Sequence, residues 1–432
     1  MRLSELAKIL NGCLRGYDVE FAGVSTDSRD IDIGDLFVAI KGLRFDGHDF
    51  VEDALNRGAV ASLVEKPVKG NYVLVDDTVN ALLRWARYKR ERFKGEVIGV
   101  LGAVGKTTTK GMLAHTLKEF YKITYSPKSF NNFVGLSITI TKASVDEDLW
   151  VLELGTNRPG EIKKLAKSSI PNHVIFTRLG PEHIEGFGST LNAIREEYSV
   201  LEYVDGLVLI HSEAPIFPEG RFYTYGFSEG DFVGKNLNIS EDGVRFNFEG
   251  VEFFVPYPHF GFAENALAVA SFSKLFGLPL KEVSDILREY RGEPMRMERL
   301  KCGDLLVIND AYNSNPLSVD MLLKSVYHIY PDKKIFFAFG DMLELGSESE
   351  YWHRWVGKKM CLYGISAVAG YGGFSGFVLD EAKNCGIKTF YAKSHEDIAE
   401  YILAGDWDIV IVKGSRGMEM ERVVKILCSR NT

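Results

Sequence analysis

The stretch GVLGAVGKTTTK at residues 99–110 decides the fold of the middle of this chain. It follows an apolar segment, EVIGVLG, that predicts a β-strand, and it leads into a segment that predicts a helix. Glycines in such a turn let backbone N–H groups surround phosphate oxygens, and the helix N-terminus adds partial positive charge. Lys106 would then reach the terminal phosphates and Thr107 would coordinate Mg²⁺. A glycine-rich turn with an incidental lysine is the alternative, but strand, GKT and helix in register favour a nucleotide-binding loop.

Outward from this loop, apolar strands alternate with helical stretches, which is typical of parallel βαβ units. A small antiparallel insertion is predicted at 230–258, with a turn at Asp242-Gly243. A third pattern of strands and helices begins after the break RGEPMRM at 291–297 and predicts another doubly wound sheet. The fold class is therefore α/β with three domains, and breaks at Gly95 and 291–294 are the expected hinges. The predicted domains are an N-terminal α/β substrate domain at 1–95, a central P-loop parallel-sheet ATPase domain at 96–292 and a C-terminal Rossmann-like domain at 293–432.

Composition narrows the class of function. The 432 residues carry a formal net charge of -8 and no basic run that could serve as a nucleic-acid footprint, which disfavours nucleic acid as the partner. The N-terminal MRLSELAKILNG predicts a short amphipathic helix rather than a signal peptide, and no run approaches the ~18 apolar residues of a membrane span. We expect a cytoplasmic monomer. The five cysteines are scattered without a CxxC pair, so we expect reduced thiols and no zinc site.

Four acidic or imidazole positions are candidates for metal chemistry. Glu153 ends the apolar strand LWVLELG, where a carboxylate would face the nucleotide, although it could merely end a strand. His183 follows another strand, in RLGPEHIEGFGS, and a lone histidine is more often structural than a ligand. Glu196 and Glu197 lie in the helical stretch AIREEYSVLEYV, where a solvated charged face is the simpler interpretation.

Taken together, several strings resemble the Mur ligases of peptidoglycan synthesis, in order and over essentially the whole chain. The phosphate loop has the spacing GxxGxxGKTT, and the further matching strings are as follows in chain order: STDSRDIDIGDLFVAIKGLRFDGHDF at 25–50, SFNNFVG at 129–135, ELGTN at 153–157, EHIEGFGS at 182–189, NALA at 265–268, RMER at 296–299 and NDAYNSNPLS at 309–318. Within the family, DGHDF, DAYNSNP, GDMLELG at 340–346 and KGSRGMEME at 413–421 point to the member that adds a D-alanine dipeptide.

The resemblance implies an ATP-dependent amide ligase that joins D-alanyl-D-alanine to UDP-N-acetylmuramoyl-tripeptide. ATP would phosphorylate the peptide's terminal carboxylate, and the dipeptide amine would attack the resulting acyl phosphate. ATP and Mg²⁺ are the implied cofactors.

The resemblance also implies roles for individual residues. Those with catalytic roles would be Lys106, His183, Glu197 and Asn132. The nucleotide would contact Gly102, Gly105, Lys106, Thr107, Thr108, Asn265, Arg296 and Asp310. Metal ligands would be Thr107, Glu153, His183 and Glu197, with His183 serving a second metal near the γ-phosphate. The UDP-sugar would bind Ser25, Asp27, Ser28 and Arg29, the acyl group would lie near Asn131, and the dipeptide side would include Asn313, Asn315, Asp341 and Arg416.

Departures from the family pattern are as informative as the matches. Most members carry a carbamylated lysine fourteen residues after the metal-binding histidine, where Glu197 stands, so we hypothesise that this glutamate replaces the carbamate. Arg178 stands where asparagine is usual, and Gly261 and Phe262 replace a histidine–asparagine pair. Leu101, Ala103 and Val104 replace small polar loop residues.

Three alternatives stay open. The chain could be a ligase of the same family that adds a single amino acid, such as meso-diaminopimelate or lysine. It could be a folylpolyglutamate synthase, although the region 1–95 argues against that enzyme. A P-loop protein that switches conformation without ligation is the alternative from another class.

Overall fold

The N-terminal part forms a five-stranded sheet in the order β1-β5-β4-β3-β2, parallel except for β1. The computed structural model describes residues 1–42 and 45–430; Leu43 and Arg44, within the matched string at 25–50, lie outside the described residues. The first helix buries Leu3, Leu6 and Leu10 on one face, which is the predicted amphipathic pattern. The elements are α1 (Leu3–Leu10), β1 (Cys13–Arg15), β2 (Val24–Ser25), β3 (Leu36–Val38), α2 (Val51–Asn56), β4 (Ala61–Val64), β5 (Tyr72–Leu74) and α3 (Thr78–Arg90).

Helix α3 belongs to two cores at once. Its Leu82 and Trp85 pack in the N-terminal core, while Ala86 packs in a core of the central part. Its last residue, Arg90, is buried and donates from Nη2 to Asn172 Oδ1 at 2.8 Å. These contacts cross the boundary that we predicted at residue 95, and they argue against a hinge at Gly95.

The central part is built on a seven-stranded sheet of parallel strands in the order β12-β11-β10-β9-β6-β8-β7. The predicted antiparallel insertion is present as β13-β14-β15, but its turn lies at Glu241-Asp242, one residue earlier than predicted, because Gly243 pairs with Ser240. The elements are β6 (Glu96–Leu101), α4 (Lys106–Leu117), β7 (Ile123–Tyr125), α5 (Phe133–Lys142), β8 (Leu149–Glu153), α6 (Glu161–Ser169), β9 (His173–Phe176), α7 (Ile184–Phe187), α8 (Thr190–Tyr198), β10 (Val208–His211), β11 (Tyr223–Gly226), β12 (Phe232–Val233), β13 (Lys235–Ser240), β14 (Gly243–Phe248), β15 (Val251–Val255), α9 (Phe260–Leu275) and α10 (Leu280–Arg288).

The middle strands of this sheet are mostly apolar because helices cover both of its faces. Helices α4 and α9 share one core with the insertion, and α3, α5, α6 and α8 share the other. Strand β6 lies between β8 and β9, with Val100 opposite Glu153 and Leu101 opposite Phe176. The carboxyl ends of these three strands therefore lie side by side at one edge of the sheet.

The C-terminal part confirms the predicted doubly wound sheet. Its strand order is β16-β17-β21-β18-β19-β20, and β16 alone of the six is antiparallel to its neighbour. The elements are β16 (Glu298–Cys302), β17 (Leu305–Asn309), α11 (Pro316–Ile329), β18 (Ile335–Gly340), α12 (Ser349–Leu362), β19 (Ala367–Tyr371), α13 (Ser375–Asn384), β20 (Lys388–Ala392), α14 (His395–Leu403), β21 (Ile409–Lys413) and α15 (Glu421–Arg430).

This part lies against the central one through α11 and α9, where Phe260 N donates to Ser325 Oγ at 3.0 Å. Apolar residues of both parts, such as Phe262 and Val319, share one continuous core. Within residues 1–42 and 45–430, no helix has the length and apolar character needed to cross a membrane.

The expectation that all cysteines are thiols is wrong for four of the five. Cys302 is joined to Cys428, and Cys361 to Cys385, while Cys13 is free and exposed. The pairs are 126 and 24 residues apart in the chain, so spacing alone gave no sign of them. The fold brings their Cα atoms to 4.6 and 6.1 Å, within the range that a disulfide spans.

We predict that the denatured, unreduced chain exposes one reactive thiol. The measurement is a colorimetric thiol titration in denaturant, before and after complete reduction, with five thiols expected after reduction. Cys13→Ser should remove the single unreduced signal. Five thiols without reductant would show that neither disulfide forms in the isolated protein.

Candidate active site

The turn between β6 and α4 is shaped as a phosphate cradle. Gly102 and Gly105 have φ of +122° and +93°, a region that favours glycine, and a Cβ on Gly105 would clash with Asn265 Oδ1. Among the described residues, no side chain caps the N-terminus of α4, so its first N–H groups remain available to a ligand. The N–H groups of Ala103 and Val104 instead donate to the Arg178 carbonyl. The cradle is therefore formed mainly by the start of α4.

Lys106 lies at the centre of this cradle and is held by a residue that the sequence reasoning missed. Its Nζ donates to Glu182 Oε2 at 3.0 Å and also to the Gly102 carbonyl. Burial alone would lower the pKa of Lys106, but the carboxylates of Glu182 and Glu197 raise it above its usual value. The Glu182 carboxylate thus accepts a hydrogen bond from the Lys106 ammonium, as a phosphate oxygen would. Its position beside His183 in the string EHIEGFGS was the available signal.

Glu153 is a buried carboxylate surrounded by donors from three elements. Its Oε1 accepts from Thr107 Oγ1 at 3.1 Å and from Asn131 Nδ2 at 3.0 Å. Its Oε2 is buried without a hydrogen-bond partner and lies 3.5 Å from the ammonium of Lys110, a second residue that we had not predicted. Arg296 Nη2 donates to Thr107 Oγ1 at 2.9 Å. Buried polar atoms are rarely left unpaired, so this oxygen fits a place for a hard cation.

Glu197 is buried, so the interpretation of a solvated face is wrong for this residue. Its Oε2 accepts from Gly102 N at 3.2 Å, beneath the phosphate loop, and burial raises the pKa of its carboxyl to about 7. Its neighbour Glu196 points elsewhere and accepts from the N–H groups of Gly160 and Ile162. Whether Glu197 meets a metal stays a prediction.

The two asparagines of SFNNFVG do different things. Asn131 donates to Glu153, whereas Asn132 is the N-cap of α5 and accepts from Gly135 N at 2.9 Å. Both line the cleft, and so does Thr108 of the phosphate loop.

Arg178 and Glu264 form a partly buried ion pair at one side of the cleft, beside Asn265. Arg178 donates from Nη2 to Glu264 Oε1 at 2.7 Å and from Nε to Glu264 Oε2 at 3.1 Å. His211 Nε2 lies 3.4 Å from Glu264 Oε2, and Glu213 lies 2.9 Å from the guanidinium. Burial would raise the pKa of Glu264, but His211 and Arg178 lower it to about 2. The departure at Arg178 is therefore matched by its own buried partner, which sequence reasoning had not identified.

The C-terminal part closes the cleft, which has a volume of about 370 Å³. Asp310 Oδ2 accepts from Lys413 Nζ at 2.6 Å, and Asn315 Nδ2 donates to the Ala103 carbonyl at 3.3 Å. Asn315 also caps α11 through a reciprocal bond with Ser318. The cleft is lined by these predicted residues: Gly105, Lys106, Thr107, Thr108, Asn131, Asn132, Glu153, His183, Asn265, Arg296, Asp310, Asn313 and Asn315.

Other predicted residues lie away from the cleft lining. Asp341 is buried and accepts from Phe374 N at 3.0 Å, and Arg416 forms an exposed pair with Glu421 at 2.7 Å. The predicted UDP-sugar residues form one turn after β2, in the N-terminal part. There Ser28 is buried, Ser25 Oγ donates to the Asp27 carbonyl, and the Asp27 carboxylate pairs with Arg29 at 2.7 Å.

Three family models match successive parts of the chain. They are described as the catalytic domain of the Mur ligase family over 20–87, the Mur ligase middle domain over 100–272, and the Mur ligase glutamate ligase domain over 295–416.

The full-length comparisons agree with these models. A UDP-N-acetylmuramoyl-tripeptide–D-alanyl-D-alanine ligase from Bacillus subtilis is 30% identical over 98% of both chains. The crystal structure of MurF from Acinetobacter baumannii covers 99% of this chain and 98% of that one, with a TM-score of 0.89 at 24% identity, which shows the fold. MurF ligase from Thermotoga maritima, in complex with ADP, has a TM-score of 0.81 at 26% identity and covers 94% and 97% of the two chains.

We predict that Glu264→Gln destabilises the protein in a pH-dependent way. Because the folded pKa is depressed from 4.5 to about 2, the stabilisation is present above pH 4.5 and is lost as pH falls towards 2. At pH 7 the loss is about 3 kcal/mol, from roughly 1.4 kcal/mol per pKa unit, and it should shrink at pH 4 and again at pH 3.

Urea unfolding of both proteins at those pH values measures the difference. Glu213→Gln is the matched control, because this half-exposed partner of Arg178 should change stability by less than about 1 kcal/mol. A loss for Glu264→Gln that is the same at every pH would contradict the assigned ion pair.

Proposed function

The chain belongs to the Mur ligase family, and from that premise we propose that it joins D-alanyl-D-alanine to UDP-N-acetylmuramoyl-tripeptide with ATP, in peptidoglycan synthesis. The observation that carries this proposal is one cleft that combines a phosphate loop, a buried carboxylate and side chains from the C-terminal part. A carboxylate must be activated before an amine can displace its oxygen. An ATP site beside an acceptor domain is what that chemistry requires.

Nucleotide phosphates would bind at the start of α4. The free N–H groups there and Lys106 supply donors and positive charge, and Glu182 must release the lysine when phosphate arrives. Asn265 and Arg296 are placed to meet the rest of the nucleotide, since both line the same cleft.

We propose Thr107 and Glu153 as the residues that would hold one Mg²⁺, and His183 with Glu197 as those that would hold a second. Thr107 Oγ1 and Glu153 Oε1 lie 3.1 Å apart, and the unpaired Glu153 Oε2 offers a further oxygen. When bound, the metal supplies positive charge that stabilises the transferring phosphoryl group.

The proposed reaction has two steps. The γ-phosphoryl group moves from ATP to the terminal carboxylate of the tripeptide, which gives an acyl phosphate and ADP. The amine of D-alanyl-D-alanine then attacks the acyl carbon, and the tetrahedral intermediate expels phosphate as the nitrogen loses a proton. Lys106 stabilises the charge on the phosphoryl group, and the cleft excludes water from the acyl phosphate.

We assign the two ends of the substrate pair to different parts of the molecule, the N-terminal turn and the C-terminal side of the cleft. The turn at 25–29 would hold the UDP-sugar, and Asn313 and Asn315 the dipeptide side. We place the reaction in the cytoplasm and expect a monomer, although two disulfides are uncommon in cytoplasmic proteins outside hyperthermophiles.

We predict that phosphate release depends on the dipeptide. With Mg²⁺-ATP and UDP-muramoyl tripeptide, the purified protein should release phosphate when D-alanyl-D-alanine is added and remain near background with single amino acids. A coupled phosphate assay measures this. Release with meso-diaminopimelate or lysine and a shorter UDP-peptide would indicate the neighbouring ligase, and acceptor-independent hydrolysis would indicate a nucleotide switch.

We further predict that Glu197→Gln raises the half-saturating Mg²⁺ concentration and lowers the rate, each by about 10- to 100-fold, as expected for loss of a carboxylate at a metal site. Glu196→Gln is the matched control, because that side chain bonds to the N–H groups of Gly160 and Ile162 instead. An unchanged metal dependence and rate in Glu197→Gln would end the hypothesis that this residue replaces the carbamylated lysine.

A further inference from the structure

A loop of the C-terminal part, residues 341–346, touches the loop that carries His183. Glu344 Oε2 lies 2.5 Å from His183 Nδ1. In the same contact, Glu185 N donates to the Glu344 carbonyl at 3.0 Å. Two hydrogen bonds thus join the dipeptide side of the molecule to the residue that we propose as a metal ligand.

The backbone on both sides is adapted to this contact. His183 and Glu344 both have positive φ, +53° and +66°, a conformation that is uncommon and costly for residues other than glycine. Gly346 also has positive φ, and a Cβ there would lie 3.0 Å from Glu185 Cα. Such backbone is kept only where the surroundings determine it, so the meeting of the two loops is specific.

The hydrogen bond determines which nitrogen of His183 is free. An ionised carboxylate can only accept, so Nδ1 carries the hydrogen, and whenever the ring is neutral Nε2 keeps its lone pair. Nε2 lies 3.6 Å from Glu182 Oε1, and the other oxygen of Glu182 binds Lys106. The free nitrogen therefore faces the phosphate site.

We propose that Glu344 is a positioning residue, which orients His183 towards the phosphate site only when the C-terminal part is docked. Binding of the acceptor domain and completion of the metal site then become one event, so the tripeptide carboxylate is activated only when the acceptor domain is in place. This rests on the proposed function and extends it. Histidine ligands are commonly held by a carboxylate on the opposite ring nitrogen, and loss of that carboxylate costs about 10- to 100-fold in metal affinity.

A simple docking contact is the competing explanation, and the variants separate the two. Glu344→Ala removes the carboxylate, and Glu344→Gln keeps an oxygen that can accept from Nδ1. His183→Ala and the double variant complete a cycle. Arg299→Ala is the matched control, because Arg299 Nη1 donates to the Glu241 carbonyl at 2.7 Å and so removes a contact between the same two parts, away from the cleft.

The measurement is the Mn²⁺ dissociation constant of the full-length protein by electron paramagnetic resonance, with a non-hydrolysable ATP analogue and UDP-muramoyl tripeptide. We expect about 10-fold weaker binding for Glu344→Ala, a smaller loss for Glu344→Gln, and no change for Arg299→Ala. The double variant should bind Mn²⁺ no more weakly than His183→Ala alone.

Three results would overturn the proposal: wild-type affinity in Glu344→Ala, losses that add in the double variant, or a wild-type protein that binds no Mn²⁺ beyond that held by the nucleotide. The Mn²⁺ affinities of the variants are compared without any catalytic turnover. Failure of dipeptide-dependent phosphate release would therefore refute the proposed function separately.

Discussion

The parallel pairing of β6 between β8 and β9 is the constraint on which the site depends. Because Val100 pairs with Glu153 and Leu101 with Phe176, the phosphate loop, the buried carboxylate and the loop of His183 emerge at one edge of the sheet. A one-residue shift in either pairing would turn Glu153 or its neighbours to the opposite face. The apolar cores on both sides of the sheet hold that register, so packing far from the cleft determines the distances within it.

The charges around Lys106 show how such a cleft is kept ordered without its ligands. Glu182 and Glu197 face the lysine, and Glu153 is engaged by Thr107 and Asn131. On the far side, Arg178 is neutralised by Glu264, which precedes Asn265 on helix α9. Each buried charge has a partner, since an unpaired one would cost several kcal/mol. At Arg178, the unusual residue is neutralised by a carboxylate of this chain.

The sequence was sufficient for the elements and their order, because buried parallel strands, helix caps and glycine turns are local signals. It also located most of the residues that line the cleft, through matched strings. It failed where a contact joins distant segments: Glu182 with Lys106, Glu264 with Arg178, and the two disulfides have no local signature. The helical pattern alone favoured a solvated Glu197, because charge in a helix says nothing about what packs on that face, and only the resemblance marked this residue as a candidate. Asp341 and Arg416 lie in strings that match the family, yet the fold keeps both side chains out of the cleft lining.

Helix α3 packs in two cores and so joins the N-terminal sheet to the central one. On the proposed binding mode, the turn at 25–29 holds the sugar end of the precursor and Lys106 lies at the phosphoryl donor. The distance between these two places then sets the length of precursor that fits. An extended peptide gains at most about 3.3–3.6 Å per residue. A precursor one residue short, with its sugar end seated, would leave its carboxylate that far from the phosphoryl donor. Selection of the correct precursor length would follow from this distance, with no side chain needed to recognise the third residue.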